Sequence, residues 1–222
     1  MNRLRRLRDT DAGMSLVELI VSMMLTAVVL AMVGGFFVTV ARATSAAKTS
    51  RAAVGEASNA ENELSRVIRA ATPVASAAGS TATPAIAVAT GTALTLTSAV
   101  DASAGDPAPV SVAFTLDAAG SLVETRTPAV RQGGYWVFSG TPVARTLPGP
   151  FDTAAAPLFT YLDAAGAAVQ GASGGLSAAQ MATVRSIRVT ASALDPADRS
   201  AAPVTLVNTI AMPNVALLGG GS

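Results

Sequence analysis

The acidic residue Glu18 has the most unusual setting in the sequence, because it lies inside an apolar run that begins at Met14. A carboxylate at the centre of a membrane helix costs about 2.5–3.5 kcal/mol on insertion scales, and less near the interface. Ionisable groups inside membrane segments are rare and often functional, and they need a partner of opposite charge. A simpler interpretation is that the Glu18 side chain reaches the polar edge of the membrane. The residues around Glu18 are consistent with both.

Few other residues offer catalytic or metal-binding chemistry. The sequence has no Cys and no His, which excludes disulfides, thiolate zinc sites and catalysis by a His base. Lys48 is the one lysine, and the pair Asp195 and Asp198 is typical of a solvated turn. We therefore expect no enzyme activity, no catalytic residues, no metal and no cofactor. A formal net charge of +1 argues against nucleic-acid binding through bulk charge.

A candidate membrane span follows the charged N-terminus. Residues 1–13 carry four Arg and two Asp, and residues 19–41 then carry no formal charge. These 23 residues would form a helix of about 34 Å, enough to cross a hydrocarbon core of about 30 Å. The basic flank predicts a cytoplasmic N-terminus and an extracytoplasmic C-terminal part.

Three kinds of N-terminal segment share this pattern. An uncleaved anchor accounts for the span but not for Glu18. A secretory signal peptide would be cut after the A-x-A residues 41–43, before Thr44, but the apolar run is longer than the usual length of about 7–15 residues. A twin-arginine signal would use the pair at 5–6, but two aspartates separate that pair from the apolar run.

The residues around Glu18 resemble a known processing site. Residues 13–20, GMSLVELI, are similar to the cleavage region of type IV prepilins and type II secretion pseudopilins. The resemblance implies that a prepilin peptidase cuts after Gly13, that Met14 becomes an N-methylated N-terminus, and that Glu18 is fifth in the mature chain. Phe is commoner than Met at the first mature position. The resemblance extends over the leader and the helix.

The spacing between Met14 and Glu18 has a physical reason. Cleavage would create an α-amine with a reference pKa of about 7.7–8.0, and Glu18 would lie one helical turn away on the same face. In a low-dielectric setting a carboxylate is stabilised by a cation, from its own chain or from a neighbour. The resemblance implies the pairing between subunits, which sets the register of each subunit added to a filament.

The helix is predicted to continue beyond the membrane and to end before Pro73. Apolar residues recur there at helical spacings, with charged residues mostly on the opposite face; the two sets are Val54, Ala57, Leu64, Ile68 and Ala71, and Arg51, Glu56, Glu63 and Arg66. Inside the span, Gly34 and Gly35 weaken the helix by about 1 kcal/mol each relative to Ala. The glycine pair either allows local flexibility or permits close packing of helices.

Short segments with β character follow the helix. They lie at residues 85–90, 93–98, 110–116, 121–127, 135–139, 158–162, 184–191 and 204–210. Two similar segments, 114–120 and 159–166, each end in Asp-Ala-Ala-Gly, which predicts a type I turn that closes a hairpin. The single tryptophan, Trp136, is expected in the core.

These patterns predict an α+β fold, in which a long N-terminal helix packs its outer half on a C-terminal antiparallel sheet. The expected organisation is a basic leader at 1–13, a transmembrane and assembly helix at 14–41, an amphipathic extension at 42–72 and a β-rich globular domain at 73–222. The resemblance raises the expectation of this architecture, because pilins are built in the same way.

The resemblance implies a structural subunit, similar to the larger minor pilins and minor pseudopilins near a filament tip. Its implied partners are prepilin peptidase, a major pilin, other minor pilins, the inner-membrane assembly platform and the lipid bilayer. Its implied location is the cytoplasmic membrane, with one pass and an extracytoplasmic globular domain, and then the filament or cell surface. The alternative is a membrane-anchored binding domain that is not cleaved and does not polymerise.

Overall fold

A long helix forms the N-terminal part of the chain in the computed structural model, which describes residues 15–74, 83–99, 108–147, 149–172, 174–194 and 203–218. This helix, α1, runs from Leu16 to Arg69. The sequence has no proline between residues 16 and 72, and α1 ends before Pro73, as predicted. The chain divides into two compact units between Lys48 and Thr49, and α1 contributes residues to both.

The second unit has ten strands and two short helices after α1 within the described residues. In chain order these are β1 Ile86–Ala89, β2 Ala93–Ser98, β3 Val110–Leu116, β4 Leu122–Pro128, β5 Val130–Gln132, β6 Tyr135–Val137, β7 Val143–Leu147, β8 Phe159–Leu162, α2 Ala178–Met181, β9 Ser186–Ala193, β10 Val204–Ala211 and α3 Pro213–Leu218.

The described strands form three antiparallel sheets. The first has the order β1-β2-β3-β4-β7, the second has the order β10-β9-β8, and β5 pairs with β6 in a separate hairpin. A long N-terminal apolar helix followed by an antiparallel β-sheet domain is the α+β architecture expected from the sequence, so this prediction is confirmed.

The outer part of α1 contributes one face to the core of the second unit. Its fully buried residues recur at spacings of three and four; they are Ala57, Ala60, Leu64, Val67 and Ile68, followed by Ala71 just past the helix end. They share one apolar cluster with Phe114 of the first sheet and Phe159 of the second. Val54 was predicted on this face, but it is 39% exposed because burial begins one turn later, at Ala57.

Both predicted Asp-Ala-Ala-Gly turns are present. The Gly120 N–H donates to the Asp117 carbonyl at 3.0 Å, and the Gly166 N–H donates to the Asp163 carbonyl at 3.1 Å. Both glycines have positive φ, 82° and 79°, which a residue with a Cβ rarely adopts. The first turn joins β3 to β4, and the second brings Ala168 back to Leu162.

The prediction for Trp136 was wrong. Trp136 lies on β6 and is partly exposed, and the guanidinium of Arg131, its partner on β5, lies 4.8 Å from the ring centroid. The Gly133 and Gly134 residues between these strands both have positive φ, as a two-residue hairpin requires. A two-stranded hairpin of three residues a side has little surface with which to bury an indole, so Trp136 packs against a cation instead.

Four short elements were not expected from the sequence: β5, β7, α2 and α3. Each has six residues or fewer, and the side chains of β5 are all exposed, so hydrophobic periodicity gives little signal. The α2 helix has a capping box formed by Ser177 and Gln180, which was a readable signal. The predicted Asp195 and Asp198 loop lies outside the described residues.

Candidate functional site

The predicted processing site reaches the described part of the chain only at its C-terminal side. Gly13 and Met14 lie outside the described residues, and Glu18 lies in the first turn of α1. The Glu18 side chain is exposed, and no ion pair is present between it and any other described residue. The carboxylate is therefore accessible to a partner that approaches the start of the helix.

Ser15 caps the start of α1. Its hydroxyl accepts a hydrogen bond from the N–H of Val17 at 3.3 Å, and its carbonyl accepts the first helical bond, from Leu19, at 3.1 Å. A serine cap contributes about 1 kcal/mol to a helix. Ser15 and Glu18 also form the sequence pattern S-x-x-E, which is typical of a capping box. The positive end of the helix dipole stabilises a negative charge at Glu18 by about 0.3–1 kcal/mol.

The first part of α1 is apolar enough to cross a membrane by length and composition. Residues Leu16–Ser45 have a mean hydropathy of 2.5, and none of the most apolar part is buried. Its large apolar side chains are 44% exposed or more throughout, from Leu16 at 74% to Val40 at 44%. Such a continuous apolar surface needs lipid or neighbouring helices to cover it.

The hydroxyl groups inside this segment bond to their own helix. The Ser22 hydroxyl donates to the Glu18 carbonyl, and the Thr26 hydroxyl donates to the Ser22 carbonyl at 2.7 Å. The Thr39 hydroxyl donates to the Gly35 carbonyl at 2.9 Å. Each of these hydroxyl groups thereby has a hydrogen-bond acceptor within its own helix, as an apolar medium requires.

Gly34 and Gly35 lie within the unbroken helix. A Cβ built on either glycine would meet no atom within 4 Å, so neither residue is required by packing within the chain. Two adjacent glycines lower the local stability of the helix and leave its backbone open to a neighbour.

The second unit holds a cluster of charged side chains that the sequence did not reveal. It joins α1 to β4 and β7, and we call it the carboxylate–arginine cluster; its members are Glu63, Arg66, Glu124, Arg126 and Arg145. The Glu124 side chain is 0% exposed, and its two oxygens accept hydrogen bonds from Nε of Arg126 and Nε of Arg145, each at 2.5 Å.

Glu63 connects the same arginines to the helix. Its Oε1 accepts hydrogen bonds at 2.7 Å from Arg66 and from Arg126, and it lies 3.0 Å from the Arg145 guanidinium. Hydrogen bonding to Glu124, together with the charges of both carboxylates, raises the pKa of Arg145. The two carboxylates and three guanidinium groups balance most of their charge internally, so the arrangement fixes α1 against the first sheet rather than doing acid–base chemistry.

Acid is expected to destabilise the second unit through Glu63. Desolvation opposes ionisation of this carboxyl, but the hydrogen bond and charge of Arg66, the charge of Arg145 and the hydrogen bond of Arg126 together lower its pKa below 4.5. A carboxyl with a lower pKa in the folded state contributes stability above its unfolded pKa, and this stability is lost as the pH falls through the folded pKa. Below pH 4.5 the free energy of unfolding should therefore fall more steeply with pH in the native chain than in Glu63→Gln.

Urea unfolding of the native chain and of Glu63→Gln measures this difference in the pH dependence of stability. The pH is varied from about 3 to about 7, a range that includes the reference carboxyl pKa of about 4.3. The Glu63→Gln variant should be less stable at neutral pH, and the gap should narrow as the pH falls. A gap that stays constant over the whole range would mean that the Glu63 pKa is the same in the folded and unfolded chain.

A cleft of about 390 Å³ lies between the first and second sheets, lined in part by Thr90, Phe159, Tyr161 and Gly175. The residues that line it carry no carboxylate, amine or guanidinium. The Tyr161 hydroxyl donates to the carbonyl of Thr90 at 2.8 Å, and burial raises the Tyr161 pKa. This cleft therefore offers no group suited to proton transfer near neutral pH.

Comparison with known proteins identifies the N-terminal segment. Residues 8–34 match the family described as "Prokaryotic N-terminal methylation motif", and this match includes the junction at 13–14, Glu18 and the first half of the apolar helix. No curated protein and no solved structure gives a significant match. The motif is that of prepilin-type proteins, which prepilin peptidase processes and which are typically structural subunits. The N-terminal segment of the chain therefore carries the prokaryotic N-terminal methylation motif, which is of the prepilin type.

Proposed function

We propose that this chain is a minor pilin or minor pseudopilin, a structural subunit of a type IV pilus-like or type II secretion filament. Prepilin peptidase cuts it after Gly13, Met14 becomes the methylated N-terminus, and α1 carries the subunit into the filament. The observation that supports this most strongly is the methylation motif at residues 8–34, which coincides with an exposed, accessible carboxylate at the start of an exposed apolar helix.

Glu18 takes part in assembly through the new N-terminus. In our proposal the α-amine of Met14 in one subunit pairs with the Glu18 carboxylate of its neighbour. The side chain of Glu18 is exposed and has no ion-pair partner among the described residues, so it is available for such a contact. Between packed apolar helices the dielectric is low, and a pair of this kind is worth more than one in water.

The apolar part of α1 has two successive environments in this proposal. Lipid covers it before assembly, with the N-terminus in the cytoplasm and the globular domain outside, and the helices of other pilins cover it in the filament. Gly34 and Gly35 supply flexibility in the middle of this segment, because they lower helix stability and touch no other part of the chain.

A minor rather than a major role is supported by the size of the globular part. In the described residues it has two sheets, a separate hairpin and long Ala/Gly/Pro-rich connections. Such a bulky domain suits a subunit at or near a filament tip, where fewer neighbours constrain its shape. Its partners would be the major pilin, other minor pilins and the inner-membrane assembly platform.

An uncleaved membrane anchor is the second candidate function, and one observation favours it. Ser15 caps α1 and Glu18 lies in the first helical turn, where the helix dipole stabilises a negative charge, so the carboxylate has a role in the helix start that needs no filament. In that case the second unit would be a membrane-tethered binding domain.

The mass of the mature chain tests the proposal. The protein is purified from its native membrane, and its intact mass and N-terminal peptide are measured. We expect a chain that starts at Met14 and carries one added methyl group, and we expect Gly13→Leu to retain residues 1–13. A native chain that starts at Met1 would favour the uncleaved anchor, and one that starts at Thr44 would mean cleavage as a signal peptide; either result contradicts processing after Gly13.

A further inference from the structure

The outer edge of β10 is open in the part of the chain that the structure describes. All eight residues of β10 pair with β9, from Val204 with Ala193 to Ala211 with Ser186, without a bulge. Within the described residues, the backbone hydrogen bonds of β10 go to β9 alone. The side chains on one face of β10 are exposed. Val207 is the largest apolar side chain on this face, and it is 61% exposed.

This edge also lacks the features that protect other sheet edges. Native proteins usually guard an open edge with a charged residue, a proline, a bulge or a short strand. Residues 204–211, VTLVNTIA, contain no charged residue and no proline. By contrast, β7 carries Arg145 and has five residues, while β1 has four residues and accepts a hydrogen bond from the Leu176 N–H at the Ala89 carbonyl.

The neighbouring connection is too short to cover β10. Residues 194–203 link β9 to β10, and both ends of this link lie beside the Val204 and Ala193 pair. A strand of eight residues is about 26 Å long. A chain that followed the whole outer edge and returned would need about 16 residues, more than the ten residues of the link.

The sequence of β10 is complementary to itself in the antiparallel direction. If two copies pair antiparallel with Val207 opposite Val207, a residue that lies a given number of positions before 207 is opposite the residue that lies the same number after it. Residues that face each other therefore have their side chains on the same face of the sheet. The facing pairs are then Val207 with Val207, Thr205 with Thr209, Val204 with Ile210 and Leu206 with Asn208. Three of these four pairs match β-branched side chains with each other, which is a favourable cross-strand combination.

We propose that β10 is a docking edge for a second copy of this chain, which pairs antiparallel about a twofold axis at Val207. The interface is isologous, so the same strand supplies both sides. It extends the sheet β8-β9-β10 into a six-stranded sheet across two protomers and gives the outward N–H and C=O groups of β10 hydrogen-bond partners. It lies in the second unit, and it does not depend on cleavage after Gly13 or on the filament contact at Glu18.

Single-cysteine cross-linking of the full-length chain in non-ionic detergent tests the twofold axis, since the chain has no cysteine of its own. Residues directly opposite on antiparallel strands have Cα atoms about 4.5–5.5 Å apart, within disulfide range. We expect Val207→Cys to form a covalent dimer at least tenfold faster than Val143→Cys. Val143 is a matched control, because it lies on another edge strand, β7, and has a similar exposure of 64% against 61%. Association of the apolar helices would speed both variants alike.

A second pair of variants tests the register. Thr205→Cys and Thr209→Cys should form a mixed dimer when combined, whereas Thr205→Cys alone should not, because its copies would be about 13 Å apart. Val207→Lys, which places two like charges together, should remove at least nine-tenths of the dimer seen by light scattering, and Val143→Lys should leave it unchanged. Cross-linking at 207 no faster than at 143, a dimer that survives Val207→Lys, or capture of a different protein by Val207→Cys would each overturn the proposal.

Discussion

Replacing Glu18 by Gln is expected to reduce incorporation of the chain into filaments by about a hundredfold or more. Two unit charges 4 Å apart interact by about 4 kcal/mol at an effective dielectric constant of 20, and each 1.4 kcal/mol is about a factor of ten in an equilibrium. In the proposed filament contact, loss of the carboxylate charge removes this attraction to the methylated N-terminus of a neighbour. Incorporation is measured as the ratio of this chain in sheared filaments to this chain in the membrane, by quantitative mass spectrometry.

The choice of Gln separates assembly from helix capping. Gln is as suitable as Glu at the third helical position of the S-x-x-E pattern, so Glu18→Gln keeps the pattern's capacity to cap the helix while removing the charge. The matched control is Ser15→Ala. It removes the hydroxyl that accepts a hydrogen bond from the Val17 N–H and keeps the charge of Glu18. Its cost is about 1 kcal/mol at the helix start, and incorporation should stay within about tenfold of the native chain. If Glu18→Gln enters filaments as well as the native chain does, the carboxylate has no role in assembly.

The N-terminal motif could be recognised because all its parts are close in sequence. Gly13, Met14 and Glu18 lie within six consecutive residues, and helical geometry converts their spacing into a spatial relation without knowledge of the rest of the fold. The Ser15 cap has the same local character, and its S-x-x-E pattern was readable. The β2 and β3 strands were predicted with the bounds that the structure has, since both strands alternate or carry β-branched residues between turn signals.

The carboxylate–arginine cluster could not be predicted in the same way. Glu124 lies on the same face of β4 as the buried Leu122, but a charged residue at such a position does not by itself indicate a buried cluster. Its partners could not be found, because Arg145 lies 21 residues away on a strand with little hydrophobic pattern, and Glu63 lies 63 residues from Arg126. Charged residues on a helix usually face water, and only the packing of α1 against the first sheet brings Glu63 to the cluster.

Replacing Glu124 by Gln is expected to destabilise the second unit by about 1.5–3 kcal/mol, the range for hydrogen bonds to charged groups. Gln has nearly the same volume, so the loss reports the charge and not a cavity. The Glu124 side chain is fully buried and accepts a charge-assisted hydrogen bond from each of two arginines, whereas a Gln amide has one acceptor oxygen and turns its N–H groups toward the second arginine. Glu63 still pairs with both arginines, whose side chains are 21% and 52% exposed, so their charges are not left buried and unpaired. For a chain of this size the unfolding temperature should fall by roughly 3–12 °C. Circular dichroism of the full-length chain in detergent, followed at a wavelength that reports the β-sheets, measures it.

Replacing Glu124 and its two arginine partners by apolar residues tests whether the fold requires a charge at position 124 or only a side chain that fills the space. Glu124→Leu combined with Arg126→Met and Arg145→Met removes all three charges, and Glu63 keeps Arg66 as its partner at 2.7 Å. Replacing a buried ionic group by well-packed apolar residues is often neutral in stability, so the triple variant should recover most of what Glu124→Gln loses. The recovery would show that the buried carboxylate is required because the arginines are present, and not because the fold needs a charge at that position. Stability of Glu124→Gln within about 1 kcal/mol of the native value, on the scale of surface substitutions, would instead mean that the two hydrogen bonds to Glu124 add little to those that Glu63 makes with the same arginines.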